Sequence, residues 1–281
     1  MLQHTFCHIP GIGLKSERKL WLHGVHCWAD WLACEAPVLS RAKRALAREG
    51  LLESARALER RDAEHFALAL PAGEQWRLFP DFRDSVAYVD IETTGLGFGE
   101  DAITSIALYD GRSVRTYVQG RNLADFEEDI SRYALLVTFN GKCFDVPFIE
   151  RFFRTRLTGA HIDLRYVLRQ LGYRGGLKAC EKMLGLGRDE LEGVDGYFAV
   201  LLWKEYRDTG DERFLETLLA YNAADVLSLE ALLVHACNAR LEDTPFHARQ
   251  ALERPVPPAN PHRADPGIIE HLRRRYGLFH G

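Results

Sequence analysis

The stretch Ser85–Gly95 reads SVAYVDIETTG, and the fold can be worked out from it. Val86, Ala87, Tyr88 and Val89 form a short apolar run of β type, and Thr93, Thr94 and Gly95 close it with turn residues. Asp90 and Glu92 stand two positions apart, so on a strand both carboxylates leave the same face. Two like charges on one sheet face repel unless a cation lies between them. A strand ending in two such acids therefore asks for a metal ion.

The residues that follow continue the pattern. ITSIALYDG (Ile103–Gly111) and SVRTYVQG (Ser113–Gly120) are two more β-type runs, divided at Asp110-Gly111, a type I′ hairpin signal. ALLVTFNGK (Ala134–Lys142) reads as a buried strand. Asn140-Gly141-Lys142-Cys143-Phe144-Asp145 comes directly out of it, and Phe148, Ile149, Phe152 and Phe153 predict a helix beyond. Asp145 falls near the start of that helix, where the positive end of the dipole favours an ionised carboxylate. Asp211–Leu241 has the spacing of one long amphipathic helix. Within it Tyr221 and Asp225 are one turn apart on one face, and an Asp in mid-helix needs a reason. Strands first, then strands alternating with helices, predict a mixed α/β sheet domain.

The chain of 281 residues has 47% hydrophobic and 27% charged residues, enough for a substantial core and too apolar for wholesale disorder. Its 36 Lys+Arg against 40 Asp+Glu give −4, which excludes a uniformly basic nucleic-acid coat protein. The charge is segregated. Residues 85–242 carry 18 basic and 25 acidic residues, yet Lys142–Lys178 within them carries 8 and 3. Arg151, Arg154, Arg156, Arg165, Arg169 and Arg174 lie there, and such a stretch is where a nucleic-acid backbone would run. Six cysteines without a CxxC pair predict reduced thiols and a cytoplasmic protein. No uninterrupted run of 18 apolar residues appears, so no membrane partner is expected. Residues 1–84 look helical. Six of the eleven prolines fall between Pro245 and Pro266, predicting an extended arm outside the core, with a short helix from Pro266 onward.

Four carboxylates, from a strand, a strand–helix junction and a distant helix, suit hard divalent cations. Mg²⁺ and Mn²⁺ take oxygen ligands, and two ions about 4 Å apart can clamp both the attacking and the leaving oxygen of a phosphoryl centre.

In order and context these motifs resemble those of the DEDDy 3′–5′ exonucleases of the ribonuclease H-like superfamily. DIETT (Asp90–Thr94) is similar to the first motif, NGKCFD (Asn140–Asp145) to the second and YNAAD (Tyr221–Asp225) to the third. The sister group has a histidine five residues before the last Asp, where this chain has Ala220. WRLFPDF (Trp76–Phe82), LLVTFNGKCFDVPFI (Leu135–Ile149), HIDLRYVL (His161–Leu168) and LLAYNAADV (Leu218–Val226) resemble more closely still the bacterial YprB-type ribonuclease H-like domain family. The resemblance implies an α/β fold with a mixed five-stranded sheet flanked by helices. It places an exonuclease domain at 74–242, a small helical region at 1–73 and a Pro-rich tail at 243–281. It implies two Mg²⁺ or Mn²⁺ ions: Asp90 bridges them, Glu92 and Asp225 complete one site, and Asp145 reaches the other mainly through water. Tyr221 orients the attacking water. A phenol with a pKa near 10 keeps its proton at neutral pH and so is a better orienter than a base.

The remaining candidates would touch nucleic acid. Thr93 and Thr94 either bind the terminal nucleotide or shape the turn. Asn140 either meets a phosphate or caps the turn after it. Lys142 and Lys178 are candidate phosphate contacts. IPGIGLKSERK (Ile9–Lys19) resembles the start of a helix–hairpin–helix element. There Gly11 and Gly13 would let backbone N–H groups approach a phosphate, with Lys15 supplying charge. This element leans the expected substrate toward single-stranded DNA over RNA. A structure-selective endonuclease and a catalytically silent scaffold are the alternative readings of the same residues.

Overall fold

The protein is described by a computed structural model for residues 1–33, 41–95, 97, 101–157, 159–187 and 195–278, with the side chains of 41–43 excluded. After a 3-10 turn at Leu2–His4 come α1 (Leu14–Leu22), α2 (Trp28–Ala33), α3 (Arg41–Glu59), α4 (Ala63–Ala69) and, after a 3-10 stretch at Ala72–Leu78, α5 (Phe79–Phe82). The sheet strands are β1 (Val86–Thr93), β2 (Ile103–Tyr109), β3 (Val114–Val118), β4 (Leu135–Thr138) and β5 (Ala160–Asp163). Helices α6 (Asp125–Ile130) and α7 (Asp145–Phe153) connect β3 to β4 and β4 to β5. The chain finishes with α8 (Leu164–Gln170), α9 (Leu177–Met183), α10 (Gly196–Thr209), α11 (Glu212–Leu241), α12 (His247–Gln250) and α13 (Pro266–Tyr276).

Local chemistry sets many of these boundaries. The side chains of Asp62, Asp163, Asp195, Asp211 and Asp265 accept bonds from the first-turn N–H groups of α4, α8, α10, α11 and α13. Gly210 and Gly277 end α10 and α13 in the left-handed conformation, which glycine adopts without penalty.

The sheet has five strands in the order β3-β2-β1-β4-β5. β1 pairs antiparallel with β2, and β2 with β3, whereas β1–β4 and β4–β5 are parallel. The α/β class and the mixed five-stranded sheet expected from sequence are what the chain forms. The β2–β3 hairpin is present, but its turn is not type I′. Asp110 N–H donates to Ser113 O, positive φ is confined to Gly111 (86°), and the Asp110 carboxylate accepts from Arg112 and Ser113 N–H. Glycine thus takes the first central position, as in type II′, because the Asp110 side chain is used to close the loop.

Period-2 alternation along β1 divides the core. Ala87, Val89 and Ile91 join a cluster with Phe126 of α6 and Phe148 and Ile149 of α7. Val86 and Tyr88 join the opposite cluster, with Leu229, Leu232 and Leu233 of α11. Asp90 and Glu92 continue the parity of Val86 and Tyr88, which is the α11 side. Helix α11 packs against β1, β2, β3 and β4 and against α8, α9, α10, α12 and α13. It is therefore buried nearly all round, where the sequence predicted an amphipathic helix. It is also long and apolar enough to cross a membrane, yet 89% of its apolar window is buried in this fold.

At the end of the chain the helix expected from Pro266 is present as α13. Residues 251–260 carry no regular secondary structure, and Ile268, Ile269 and Leu272 of α13 are buried with α10 and α11. Three apolar residues on one face of a helix gain more by docking than by exposure, at roughly 1.5–3 kcal/mol each.

Residues at the start of the chain share a continuous core with the sheet. Arg77, 3% exposed, donates to Glu17 Oε1 at 2.9 Å and to Glu74 Oε2 at 2.7 Å. Glu17 Oε1 also accepts from Phe6 and Cys7 N–H, and Arg240 of α11 donates to Glu74 Oε1 at 2.6 Å. Arg77→Met takes the guanidinium from buried Glu17 and leaves Glu74 with Arg240 alone. The expected cost is about 3–5 kcal/mol, read as a lower urea midpoint.

Candidate metal centre

Beyond Tyr88, β1 has no pairing with β4, while its pairing with β2 continues to Thr93. The last turns of the strand are therefore open on one side, and the acids lie there. One oxygen each of Asp90, Glu92 and Asp225 falls within 4.8 Å of the others, the sole such group of potential metal ligands among the described residues. Glu92 and Asp225 are buried, and Asp90 keeps a partly open face.

Asp145, 4% exposed, closes the gap left by β4. Its Oδ1 accepts the Ile91 N–H at 3.2 Å, a donor that no strand takes up. The turn delivering it is tightly held. Thr138 Oγ1 accepts from Gly141 N–H, and a Cβ at Gly141 would lie 2.2 Å from that oxygen, so only glycine fits. Asp163 Oδ1 accepts from Asn140 N–H at 2.8 Å and Oδ2 from Lys142 N–H at 3.0 Å. Asn140 itself is left-handed (φ 67°).

Asn222, fully buried, is a residue that the sequence reading passed over. Its Nδ2 donates to Asp90 Oδ2 at 2.8 Å and to Asp90 O at 3.2 Å, while its Oδ1 accepts from Ser105 Oγ at 3.0 Å. It fixes the orientation of the Asp90 carboxylate. The available signal was the polar residue inside YNAAD on an otherwise apolar helix.

The electrostatics are those of a site short of positive charge. Burial pushes Asp90 well above the ordinary carboxylate range, and the Asp225, Asp145 and Glu92 carboxylates add to it, against the Asn222 bond. Burial likewise raises Glu92, with Asp225 and Asp145 adding and the Lys178 ammonium opposing. Burial pushes Asp145 up to about 7, although its own and the Ile91 N–H bonds pull it down. A set of oxygen-only donors that cannot all ionise together fits a hard divalent cation, which lets them do so.

The other expected site residues are placed as follows. Tyr221 lies one helical turn before Asp225, nearly buried, with the Lys178 ammonium 4.4 Å from its ring centroid. Lys178 thus sits among the acids rather than out on the surface. Thr93 Oγ1 donates to Gly95 O, and Thr94 Oγ1 donates to Asp101 Oδ1 and accepts from Ala102 N–H, so both hydroxyls shape the β1–β2 connection. Asn140 Oδ1 accepts from the Arg165 guanidinium. Lys142 Nζ donates to Gln75 Oε1 at 3.0 Å. His161 bonds Thr138 Oγ1, and burial pushes it down to about 3, so it is neutral. Gly11 and Gly13 precede α1 and line a cleft with Gly50, Ser54 and His65, and Lys15 is in the first turn of α1. The Glu17–Arg77–Glu74–Arg240 network ties that end of the molecule to α11 fifteen residues beyond Asp225, about 22 Å along the helix.

The chain belongs to the RNase_H superfamily: the RNase_H_2 family model matches residues 87–237, more than half of it. Among curated proteins it is 30% identical over 183 residues to the uncharacterized protein YprB of Bacillus subtilis (strain 168). That match covers 58% of this chain and 44% of YprB, so the chain spans less than half the length of that relative. Among solved structures it is similar to NrnC of Brucella melitensis, at 21% identity and TM-score 0.40, over 62% of this chain and 81% of that one. It is also similar to the family B DNA polymerase of Pyrobaculum calidifontis, at 14% identity and TM-score 0.43, over 60% of this chain and 27% of that one.

The raised Asp145 pKa has a measurable consequence without metal. The unfolded chain gives up this proton near 3.8 and the folded chain near 7. Stability therefore falls as pH rises between those values and levels off above. In EDTA the Tm is expected to drop across that window, Asp145→Asn to flatten the drop, and Mg²⁺ at pH 7 to reverse it. Asn222→Ala is expected to weaken Mg²⁺ binding about 10- to 100-fold by calorimetry, because Asp90 loses its orienting partner.

Proposed function

We propose that this chain is a metal-dependent 3′–5′ exonuclease of the DEDDy type, active in the cytoplasm on single-stranded nucleic acid, with DNA favoured over RNA. The observation that carries the reading is the convergence of Asp90, Glu92 and Asp225 within 4.8 Å, with Asp145 at the adjacent helix start. Membership of the RNase_H superfamily supports it.

Asp90, Glu92 and Asp225 would hold one cation, and Asp90 with Asp145 would face a second. Two bound Mg²⁺ or Mn²⁺ ions would acidify the attacking water and neutralise charge developing on the phosphate. Asn222 keeps the shared Asp90 carboxylate in one orientation. Tyr221, on the Asp225 face of α11, would orient the water through its protonated hydroxyl. Lys178 would hold the Tyr221 ring through its ammonium, 4.4 Å from the ring centroid. The Gly13–Leu14 start of α1 is read as a helix–hairpin–helix-like contact for the nucleic-acid backbone, with Lys15 beside it.

Purified chain with Mg²⁺ or Mn²⁺ is expected to shorten a labelled single strand from its 3′ end and to leave a circular strand uncut. Asp90→Ala and Asp225→Ala are expected to abolish the shortening while the far-UV spectrum stays unchanged. Cleavage of the circle would identify an endonuclease, and absence of both cleavage and divalent binding a scaffold. Tyr221→Phe is expected to lower kcat about 100-fold with little change in KM, since it removes an orienter and leaves binding intact.

A further inference from the structure

We infer that the cleft at Asn140, where the turn to Asp145 begins, is a phosphate subsite for nucleic acid, built by Arg165, Arg169 and Arg174. The inference rests on the nuclease reading and adds to it the part of the substrate that this cleft holds. The cleft, about 620 Å³, is lined by these three arginines with Phe139, Asn140 and Tyr173, and no acid is among the described residues that line it. Of six arginines between Arg151 and Arg174, the fold gathers these three into one opening.

Their positions are built rather than incidental. Arg165 and Arg169 are i and i+4 on α8, so their side chains leave one face about 6 Å apart. The Arg165 guanidinium is held by Asn140 Oδ1. Arg174 precedes Gly175, whose φ of 109° and whose missing Cβ, which would lie 2.8 Å from Ala179, fix the α8–α9 connection. Among the described residues, Arg169 and Arg174 form no ion pair. A cleft that gathers three guanidiniums, two of them outside any ion pair among the described residues, suits a phosphate, which takes their N–H forks bidentately. Phe139 and Tyr173 offer ring surface to the attached nucleoside.

Asn140 also ties the cleft to the acids. It opens the turn that ends at Asp145, and its N–H is held by Asp163 Oδ1, the oxygen that accepts the Arg165 N–H as well. A phosphate held by Arg165 therefore lies on the same rigid turn that places Asp145. The cleft would hold the backbone of the strand whose end lies at the acids.

The test is binding, so it does not depend on hydrolysis. Anisotropy of a fluorescent single-stranded oligonucleotide in EDTA is compared between the full chain and an Arg169→Ala/Arg174→Ala variant of unchanged Tm. The variant is expected to bind about 30-fold more weakly, with the slope of log K against log salt reduced by about 1.4, for two lost single-strand phosphate contacts. Arg169→Lys/Arg174→Lys should recover most of the salt slope. A methylphosphonate oligonucleotide, lacking backbone charge, should bind both proteins equally. Equal affinity and slope for the charged strand would overturn the subsite, as would an equal loss on the neutral strand. Activity with Mg²⁺ is scored separately: inactive wild type that still binds through the arginines sinks the nuclease reading and leaves the subsite standing.

Discussion

Four carboxylates are held together against their mutual repulsion, and much of the architecture around them serves to keep them there. Glu92, Asp145 and Asp225 are buried, and burial with neighbouring acids raises Asp90, Glu92 and Asp145. Such a cluster is costly in a folded chain without cations. It persists because each acid is tied to a rigid element: a central strand, a helix start pinned by Gly141 and Thr138, and the buried helix α11. Positive charge from Lys178 offsets part of the cost, and a divalent cation would offset more.

Helix α11 links this centre to the rest of the molecule. Its early residues Phe214, Leu215 and Leu218 pack with α10 and α13, its middle carries Tyr221, Asn222 and Asp225, and its end meets Glu74 through Arg240. Glu230 on the same helix accepts from Arg83 and Tyr109, joining it to the residues before β1 and to β2. A substitution that shifts α11 thus moves Asp225, with Tyr221 and Asn222, relative to β1. Buried ion pairs at Arg77 and Glu230 fix the register of that packing.

Much of the candidate site was legible because strand and helix periods are local rules. The parity of Asp90 and Glu92, the helix start at Asp145 and the one-turn spacing of Tyr221 and Asp225 all follow from neighbours within a few residues. Asn222 was missed because its value comes from Ser105 and Asp90, 117 and 132 positions away. Lys178, a candidate phosphate contact, has its ammonium over the Tyr221 ring and acts on Glu92, a placement set by the packing of α9 against α11. The α11 pattern was read as amphipathic because a one-dimensional window does not show that the helix is enclosed by the sheet and its helical neighbours.

The sequence by itself determined the strand and helix that carry each acid and the face from which each pair leaves, because backbone geometry sets those directions within one or two turns. Tertiary structure alone decided which faces meet. It brought a 30-residue helix onto the open end of β1 and docked the expected terminal helix, α13, against α10 and α11. It also gathered Arg165, Arg169 and Arg174 into one cleft. Those outcomes depend on apolar burial summed over the whole core and on charge pairs between residues distant in the chain. No local pattern encodes either.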